Sequence, residues 1–160
     1  MNQFSKHGLD LLKAWEGSRA TVYYDSAGMR TIGVGHLLTR SEITSGKIFI
    51  GSQPVKWAAG LMDQQILDLL AQDVHPKELC VNMFVVVPLN QNQFDALVSF
   101  VFNVGHQAFQ NSTLLRLLNQ HGYNTVPEQL MRWTRAAGQV VHGLEVRRRN
   151  EIALWNQPVL

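Results

Sequence analysis

Residues 15–36, WEGSRATVYYDSAGMRTIGVGH, predict where the chain changes from helix to sheet. Before this stretch the apolar residues follow the spacing of one helix face, and Gly17 predicts the end of that helix. Two β-prone runs follow, at 21–24 and 29–34, and residues of turn type separate them. Gly33 and Gly35 flank Val34 and leave room for a backbone or a ligand. We therefore expect a helix followed by a small hairpin sheet.

The rest of the chain favours helices. Apolar residues at helical spacing occupy 57–74, and Pro76 predicts an interruption of that helix. Further helical patterns cover 94–101, 114–118, 127–135 and 144–155. Thr125-Val126-Pro127-Glu128 predicts a helix start with a capping box. Residues 46–54 predict a loop whose apolar tip, Ile48-Phe49-Ile50, packs on the domain. The fold class expected is α+β, predominantly helical.

The composition describes one globular domain. The chain has 160 residues, of which 46% are hydrophobic and 16% charged, which excludes intrinsic disorder. Its single cysteine, Cys80, excludes an internal disulfide, and no stretch approaches the about 20 apolar residues of a membrane span. Asp10, Lys13 and Glu16 interrupt the N-terminal apolar pattern, which is unlike a signal peptide. We therefore expect synthesis in the cytoplasm.

The charges are nearly balanced, with a formal net charge of +2. From residue 130 onward the chain carries five arginines and two glutamates, which makes that end basic. A basic end could contact an anionic polymer, but a solvated helix face with arginines paired to carboxylates is the more ordinary explanation. With so small a net charge and no recognised motif, nucleic-acid binding is the weakest functional option.

Glu16, Asp25 and Thr31 are the candidate catalytic residues. Glycoside hydrolysis uses one carboxylic acid to protonate the leaving oxygen and one carboxylate on the other face of the sugar. A helix C-terminus and the apolar Trp15 favour the protonated form of Glu16, whereas a polar turn favours ionised Asp25. Thr31 could hold the attacking water by a hydrogen bond. Spacing alone makes this a weak signal, since such triplets are common.

Longer motifs make the signal specific. The sequence resembles the bacteriophage lysozyme (endolysin) family, glycoside hydrolase family 24, over nearly its whole length, and Glu16, Asp25 and Thr31 match that family's acid, aspartate and threonine. The motifs are Trp15-Glu16-Gly17, Tyr23-Tyr24-Asp25-Ser26-Ala27-Gly28, Thr31-Ile32-Gly33-Val34-Gly35-His36, Gln91-Asn92-Gln93-Phe94-Asp95-Ala96-Leu97, Phe102-Asn103-Val104-Gly105, Phe109-Gln110-Asn111-Ser112-Thr113-Leu114, and Gly143-Leu144 before Arg147-Arg148.

The resemblance implies a single lysozyme-like catalytic domain over 1–160. Its small N-terminal β lobe and loop would cover about 17–56, and 1–16 with 57–160 would form the larger helical part, joined by a long helix. It also implies a muramidase that cleaves the β-1,4 bond between N-acetylmuramic acid and N-acetylglucosamine in peptidoglycan, with inversion and no metal or other cofactor. Such an enzyme would lyse the host and would reach the cell wall through a holin-like pore. We expect a monomer.

The resemblance also suggests roles for residues around the catalytic ones. His36 is either a metal ligand or a histidine paired with a carboxylate, and its match to the family favours a pair with Asp73. One of Arg147 and Arg148 would reach Glu16, and we favour Arg148. Asn103, Asn111 and Ser112 match positions that line the family's cleft, although helix caps and loop hydrogen bonds explain them about as well.

Two features of the sequence depart from the family pattern, and two alternative functions remain open. Pro76 and residues 47–56 do not match the family pattern, which leaves lobe orientation open. A lytic transglycosylase needs only one glutamate, and Asp25 and Thr31 argue against it. A noncatalytic or membrane-disrupting envelope-binding protein would use the basic C-terminal helix.

Overall fold

The computed structural model describes residues Met1–Val159 and has the predicted α+β fold, in which helices predominate. Its elements in chain order are α1 (Lys6–Glu16), β1 (Arg19–Tyr24), β2 (Arg30–Gly33), β3 (His36–Leu37), α2 (Arg40–Ser45), β4 (Lys47–Ile50), β5 (Gln53–Lys56), α3 (Asp63–Phe84), α4 (Gln91–Val104), α5 (His106–Gln110), α6 (Thr113–Leu118), α7 (Val126–Met131), β6 (Arg135–Ala136), β7 (Gln139–Val140) and α8 (His142–Asn156). Short 3₁₀ turns cover Trp57–Ala59 and Tyr123–Thr125.

The chain forms two compact units. Leu9–Val74 form the first, here called the β unit, which contains the strands β1 to β5. Met1–Gly8 and the chain from His75 onward form the second, here called the helical unit. The helix α3 begins in the β unit and ends in the helical unit.

The sheet that follows α1 has the predicted hairpin. Gly17 ends α1 with φ +76°, and its N–H donates to the Lys13 carbonyl at 2.9 Å. Strands β1, β2 and β3 pair antiparallel in that order, with Tyr23 opposite Thr31 and Ile32 opposite His36. The central strand β2 is buried from Thr31 onward, so the sheet fixes the position of Thr31.

The expectation that the glycines of this sheet admit a ligand is wrong for Gly33. A Cβ at that position would lie 3.7 Å from a methyl of Leu69 and 4.0 Å from Ile66, so apolar side chains already cover it. Glycine is needed there because φ is +64°, a conformation that other residues adopt only with strain. Gly35, with φ +69° and open space around it, forms the turn to β3.

Residues 47–56 form a hairpin, so the predicted loop is wrong. Strand β4 pairs with β5, with Ile48 opposite Val55 and Phe49 opposite Pro54. Ile48 is fully buried and Phe49 is 56% exposed, which is the alternation of a half-buried strand. The turn residue Gly51 has φ +61°. A period-two pattern only four residues long was too short to separate from an apolar loop.

Pro76 does not interrupt α3, contrary to the prediction. The helix runs unbroken through 22 residues with Pro76 inside it. Proline removes one backbone hydrogen bond from a helix, but Leu70 and Val74 before it and Cys80 and Val81 after it are all buried. Burial on both sides stabilises the helix across the proline.

The helical unit contains the predicted helices, with two corrections. Thr125 does not form a capping box: its hydroxyl donates to the Gly122 carbonyl at 2.7 Å, and no side chain caps α7. The chain after α7 is not purely helical, because β6 and β7 form a small antiparallel hairpin. Its turn, Ala137-Gly138, has φ values of +50° and +78°, which match the twist of a tight hairpin.

Candidate active site

Backbone N–H groups hold one oxygen of the Asp25 carboxylate in the turn between β1 and β2. Oδ1 accepts hydrogen bonds from the N–H of Ala27 at 2.9 Å and of Met29 at 2.8 Å. Gly28, with φ +77°, closes the turn by donating its N–H to the Asp25 carbonyl at 2.9 Å. Oδ2 has no hydrogen bond to any of the described residues. The carboxylate is thus fixed by one oxygen and open at the other.

Thr31 is fixed by the same backbone segment. Its Oγ1 donates to the Met29 carbonyl at 3.0 Å, and that carbonyl also accepts the Asp25 N–H at 2.9 Å. Thr31 is 2% exposed. Because its hydroxyl proton is donated to Met29, the lone pairs of Oγ1 can accept a hydrogen bond. Met29 therefore links both side chains, which presents one carboxylate oxygen and one hydroxyl oxygen as acceptors.

Glu16 is the last residue of α1, and two residues separate it from the start of β1. All three candidate catalytic residues therefore belong to the β unit. Glu16 is exposed, so the desolvation expected from Trp15 is absent here. Trp15 lies only one residue away in the helix, and neighbouring helical positions do not face each other.

His36 contacts two carboxylates. Its Nδ1 lies 2.8 Å from Asp73 Oδ2, the contact expected from the sequence, and its Nε2 lies 3.3 Å from Glu42 Oε2. Burial lowers the pKa of His36, but the hydrogen bonds and charges of Asp73 and Glu42 outweigh it, so the pKa is raised above its ordinary value of 6.5. Sequence reasoning missed Glu42, although Thr39 and Glu42 have the spacing of a capping box, which α2 does form.

Arg147 and Arg148 are buried, so the predicted solvated helix face is wrong for these two residues, whereas the predicted pairing with a carboxylate is confirmed. Arg148 Nε lies 2.7 Å from Glu151 Oε2, and Arg147 Nε donates to Glu151 Oε1 at 3.1 Å. Ser99 Oγ also donates to Glu151 Oε1, at 2.8 Å. Arg148 additionally donates to Asn103 Oδ1 at 2.9 Å.

Sequence reasoning missed the burial of these charges, although their spacing along α8 could have indicated it. Positions 147, 148, 151, 154 and 155 form one face of α8, and all five are buried. The sequence signal for such a network is a set of charged residues on the same helix face as the apolar Leu154 and Trp155. Burial raises the pKa of Glu151, although the charges of Arg148 and Arg147 act in the opposite direction.

Asn111 and Ser112 line an open cavity of about 310 Å³ in the helical unit. Ser112 also caps α6: its hydroxyl donates to the Phe109 carbonyl at 2.7 Å and accepts the Leu115 N–H at 3.1 Å. The proton of Ser112 is therefore already used within the protein. Gln129, Arg132 and Trp133 also line this cavity, and sequence reasoning did not place them beside Asn111 and Ser112.

Several other features of the described chain bear on function. Within Met1–Val159 no three His, Cys, Asp or Glu side chains are grouped as metal ligands would be. Over the same residues, no helix has the length and apolar character needed to cross a bilayer. Cys80 is buried, and burial raises its pKa, which suits a core thiol rather than a nucleophile.

The α+β fold, with small antiparallel sheets and predominant helices, is that of a lysozyme-like protein. The family model described as phage lysozyme matches residues 13–151. The endolysin of Salmonella phage P22 is 39% identical over 155 residues, which cover 97% of this chain and 99% of that protein. A SAR-endolysin of Escherichia phage Mu is 36% identical and covers 84% of this chain and 70% of its own length.

Solved structures agree. A variant of P22 lysozyme superposes with a TM-score of 0.82 at 37% identity, covering 98% of this chain and all of its own. The muramidase domain of SpmX from Asticaccaulis excentricus has a TM-score of 0.80 at 33% identity, covering 99% of this chain and all of its own. The chain belongs to the phage lysozyme family, and it is a glycoside hydrolase.

Proposed function

We propose that this protein is a muramidase that hydrolyses the β-1,4 bond between N-acetylmuramic acid and N-acetylglucosamine in peptidoglycan during phage lysis of the host. The observation that carries the proposal is a pair of acceptor atoms, Asp25 Oδ2 and Thr31 Oγ1. The backbone of Met29 holds both of these side chains. The P22 relative, named an endolysin, and the SpmX domain, named a muramidase, support it.

The acceptor pair suits a nucleophilic water. A water that donates one proton to Asp25 Oδ2 and the other to Thr31 Oγ1 keeps a lone pair for the anomeric carbon. Asp25 acts as the general base and takes the proton as the C–O bond forms. Attack on the face opposite the leaving group gives inversion, for which two carboxyl groups about 6.5–9.5 Å apart are needed.

Glu16 is the proposed general acid. It protonates the glycosidic oxygen while the bond to the anomeric carbon breaks. Bound glycan would exclude water from the exposed Glu16 side chain, so that its proton passes to the glycosidic oxygen rather than to solvent. Arg148 is proposed as a positioning residue for Glu16, as the family resemblance implies; Glu151 and Asn103, which fix the guanidinium, support this role.

The remaining predicted residues are proposed to support binding and the sheet. Asn103, Asn111 and Ser112 would contact sugar groups, and the cavity lined by Asn111 and Ser112 supports this proposal. The pair of His36 and Asp73 would stabilise β3 rather than take part in the reaction. The hydrolysis needs no metal or other cofactor, so we expect full activity after treatment with EDTA.

The buried arginines weaken the rival based on membrane disruption. Arg147 is 7% exposed and Arg148 is fully buried, so neither presents its charge to an envelope surface. Two of the three arginines on which that alternative depended are therefore not available at the surface of the C-terminal helix.

The route to the wall is a further part of the proposal. We expect a monomer made in the host cytoplasm that reaches peptidoglycan through a holin-like pore; the endolysin name of the P22 relative supports the lysis role. Light scattering of the purified protein tests the monomer. Lysis that occurs without a co-expressed pore would overturn the proposed route.

Mass spectrometry of fragments released from purified peptidoglycan tests the reaction. The wild-type protein should release products with reducing-end muramic acid, and both Glu16→Gln and Asp25→Asn should abolish them. Anhydro products that persist in Asp25→Asn would instead identify a lytic transglycosylase. No fragments from a folded wild-type protein would overturn the hydrolase.

A further inference from the structure

A second cavity in the helical unit, of about 370 Å³, is not used by the proposed reaction. It lies where the start of α4, the chain before α7 and the end of α8 meet. None of the candidate catalytic or sugar-binding residues lines it. Its lining includes Asn90, Gln93, Tyr123, Asn124, Trp155 and Asn156.

Neutral amides dominate its chemistry. None of the described residues that line the cavity is charged. Asn90 and Gln93 form the capping box of α4: Asn90 Oδ1 accepts the Gln93 N–H at 2.9 Å, and Gln93 Oε1 accepts the Asn90 N–H at 3.0 Å. Their oxygens are thereby fixed, and their NH₂ groups have no acceptor within the described chain. The capping box therefore leaves two oriented donors.

Asn124 and Asn156 add amides that are free at both ends. Both residues are exposed, and their side chains make no hydrogen bond within the described residues. An amide offers a donor and an acceptor together, which matches the hydroxyl and N-acetyl groups of an amino sugar. An anionic group would find no cation among the described residues that line this cavity to offset its loss of water.

Two aromatic side chains supply apolar surface. The Tyr123 hydroxyl donates to the Pro88 carbonyl at 2.7 Å, which fixes the ring and leaves the oxygen as an acceptor. Trp155 is 5% exposed and forms part of the lining. Apolar surface with a few oriented polar groups is the usual composition of a small-molecule site, and the C–H face of a sugar can pack against such rings.

From this lining we infer that the cavity binds an uncharged N-acetylated sugar, a second glycan site that holds the enzyme on polymeric peptidoglycan. The inference rests on the proposed function for the identity of the polymer. A second contact with the same polymer raises overall affinity without new catalytic contacts. Cleavage of short soluble fragments, which cannot span two sites, is expected to be unaffected.

Titration of Glu16→Gln protein with tri-N-acetylchitotriose, followed by residue-assigned NMR, tests the site. The backbone amides of Tyr123 and Asn124 and the Trp155 indole N–H should shift with saturation. The double substitution Asn124→Asp with Asn156→Asp replaces two donors by anionic acceptors. It should raise the dissociation constant obtained from these shifts about fivefold or more. Gln107→Glu with Gln120→Glu, an equal charge change on exposed amides outside the cavity, should leave them unchanged.

Activity assays separate this inference from the proposed function. In an otherwise wild-type background, the aspartate pair should slow the solubilisation of sacculi but not the cleavage of short fragments. Wild-type cleavage of sacculi with no shift at the cavity would overturn the second site and leave the muramidase intact. Shifts at the cavity without any cleavage would overturn the muramidase alone. Shifts produced by free stem peptides and not by the sugar would also overturn a sugar site.

Discussion

Asp25 in the β unit and Glu151 in the helical unit are both carboxylates, but their surroundings differ. Asp25 is half-buried, and backbone N–H groups hold one oxygen while the other stays open. Glu151 is fully buried and is bound by Arg147, Arg148 and Ser99. A buried charge is tolerated only with such partners. An open, oriented oxygen suits a reaction, whereas an enclosed ion network suits the stability of the helical unit.

Asp25→Asn separates the two roles most sharply. Asparagine keeps an oxygen for the N–H groups of Ala27 and Met29 but loses the open anionic oxygen. We expect hydrolysis of peptidoglycan to fall about 10²–10⁴-fold, the usual range for a general base, with a small change in the free energy of unfolding. Asp10→Asn, on the exposed side of α1, is the control and should change neither. A large loss of stability in Asp25→Asn would show that the turn carboxylate is structural.

Glu151→Ala should have the opposite profile. It leaves two arginines without their carboxylate, which costs about 3–5 kcal/mol when a buried pair is broken. Urea denaturation measures the loss, and the exposed Glu128→Ala should stay within about 0.5 kcal/mol of the wild type. A loss below about 1 kcal/mol would mean that the network is not the ion cluster described above.

The pair of His36 and Asp73 is only partly buried, so we expect its loss to cost less stability than the loss of Glu151 and more than the change at Asp25. Because the pKa of His36 is raised, its contribution to stability is complete below its ordinary value of 6.5 and is lost as pH rises through the folded-state pKa. Asp73→Asn should therefore destabilise the protein by about 1.5 kcal/mol at pH 5.5 and by less at pH 8. NMR titration of His36 should show a lowered pKa in that variant. A His36 titration that is indifferent to Asp73→Asn would refute the pair.

Gly28→Ala has the smallest expected effect and tests whether the turn itself positions Asp25. A Cβ meets nothing within 4 Å there, so the cost comes from φ +77° and amounts to about 1 kcal/mol. Gly51→Ala carries the same strain, with φ +61° and open space, in the turn between β4 and β5. Both variants should lose similar stability in denaturation, but only Gly28→Ala should lose hydrolytic activity. Equal activities would remove the positioning role of the turn.

Local signals explain what the sequence could predict. Gly17, the turn at Asp25 and the two β-prone runs act over a few residues, so the helix end and the hairpin were predictable. The contact between His36 and Asp73 spans 37 residues, and only the family resemblance indicated it. The chemical roles of Glu16, Asp25 and Thr31 stay predictions until they are measured.

Distant packing explains what the sequence could not predict. Ser99 and Glu151 are 52 residues apart, so the hydrogen bond from Ser99 to the ion network depends on how α4 packs against α8. The helix through Pro76 likewise depends on burial on both sides of the proline. The hairpin of β4 and β5 was missed because its alternation covers only four residues per strand.

The anomeric form of the first product tests most directly whether Asp25 and Thr31 hold the attacking water. Early proton NMR spectra of a short peptidoglycan fragment under cleavage would resolve the two anomers before they equilibrate. We expect the α-anomer of the new reducing end to appear first, since a water attacks opposite the β-linked leaving group. The β-anomer appearing first would contradict direct attack by that water and would indicate a covalent intermediate on Asp25.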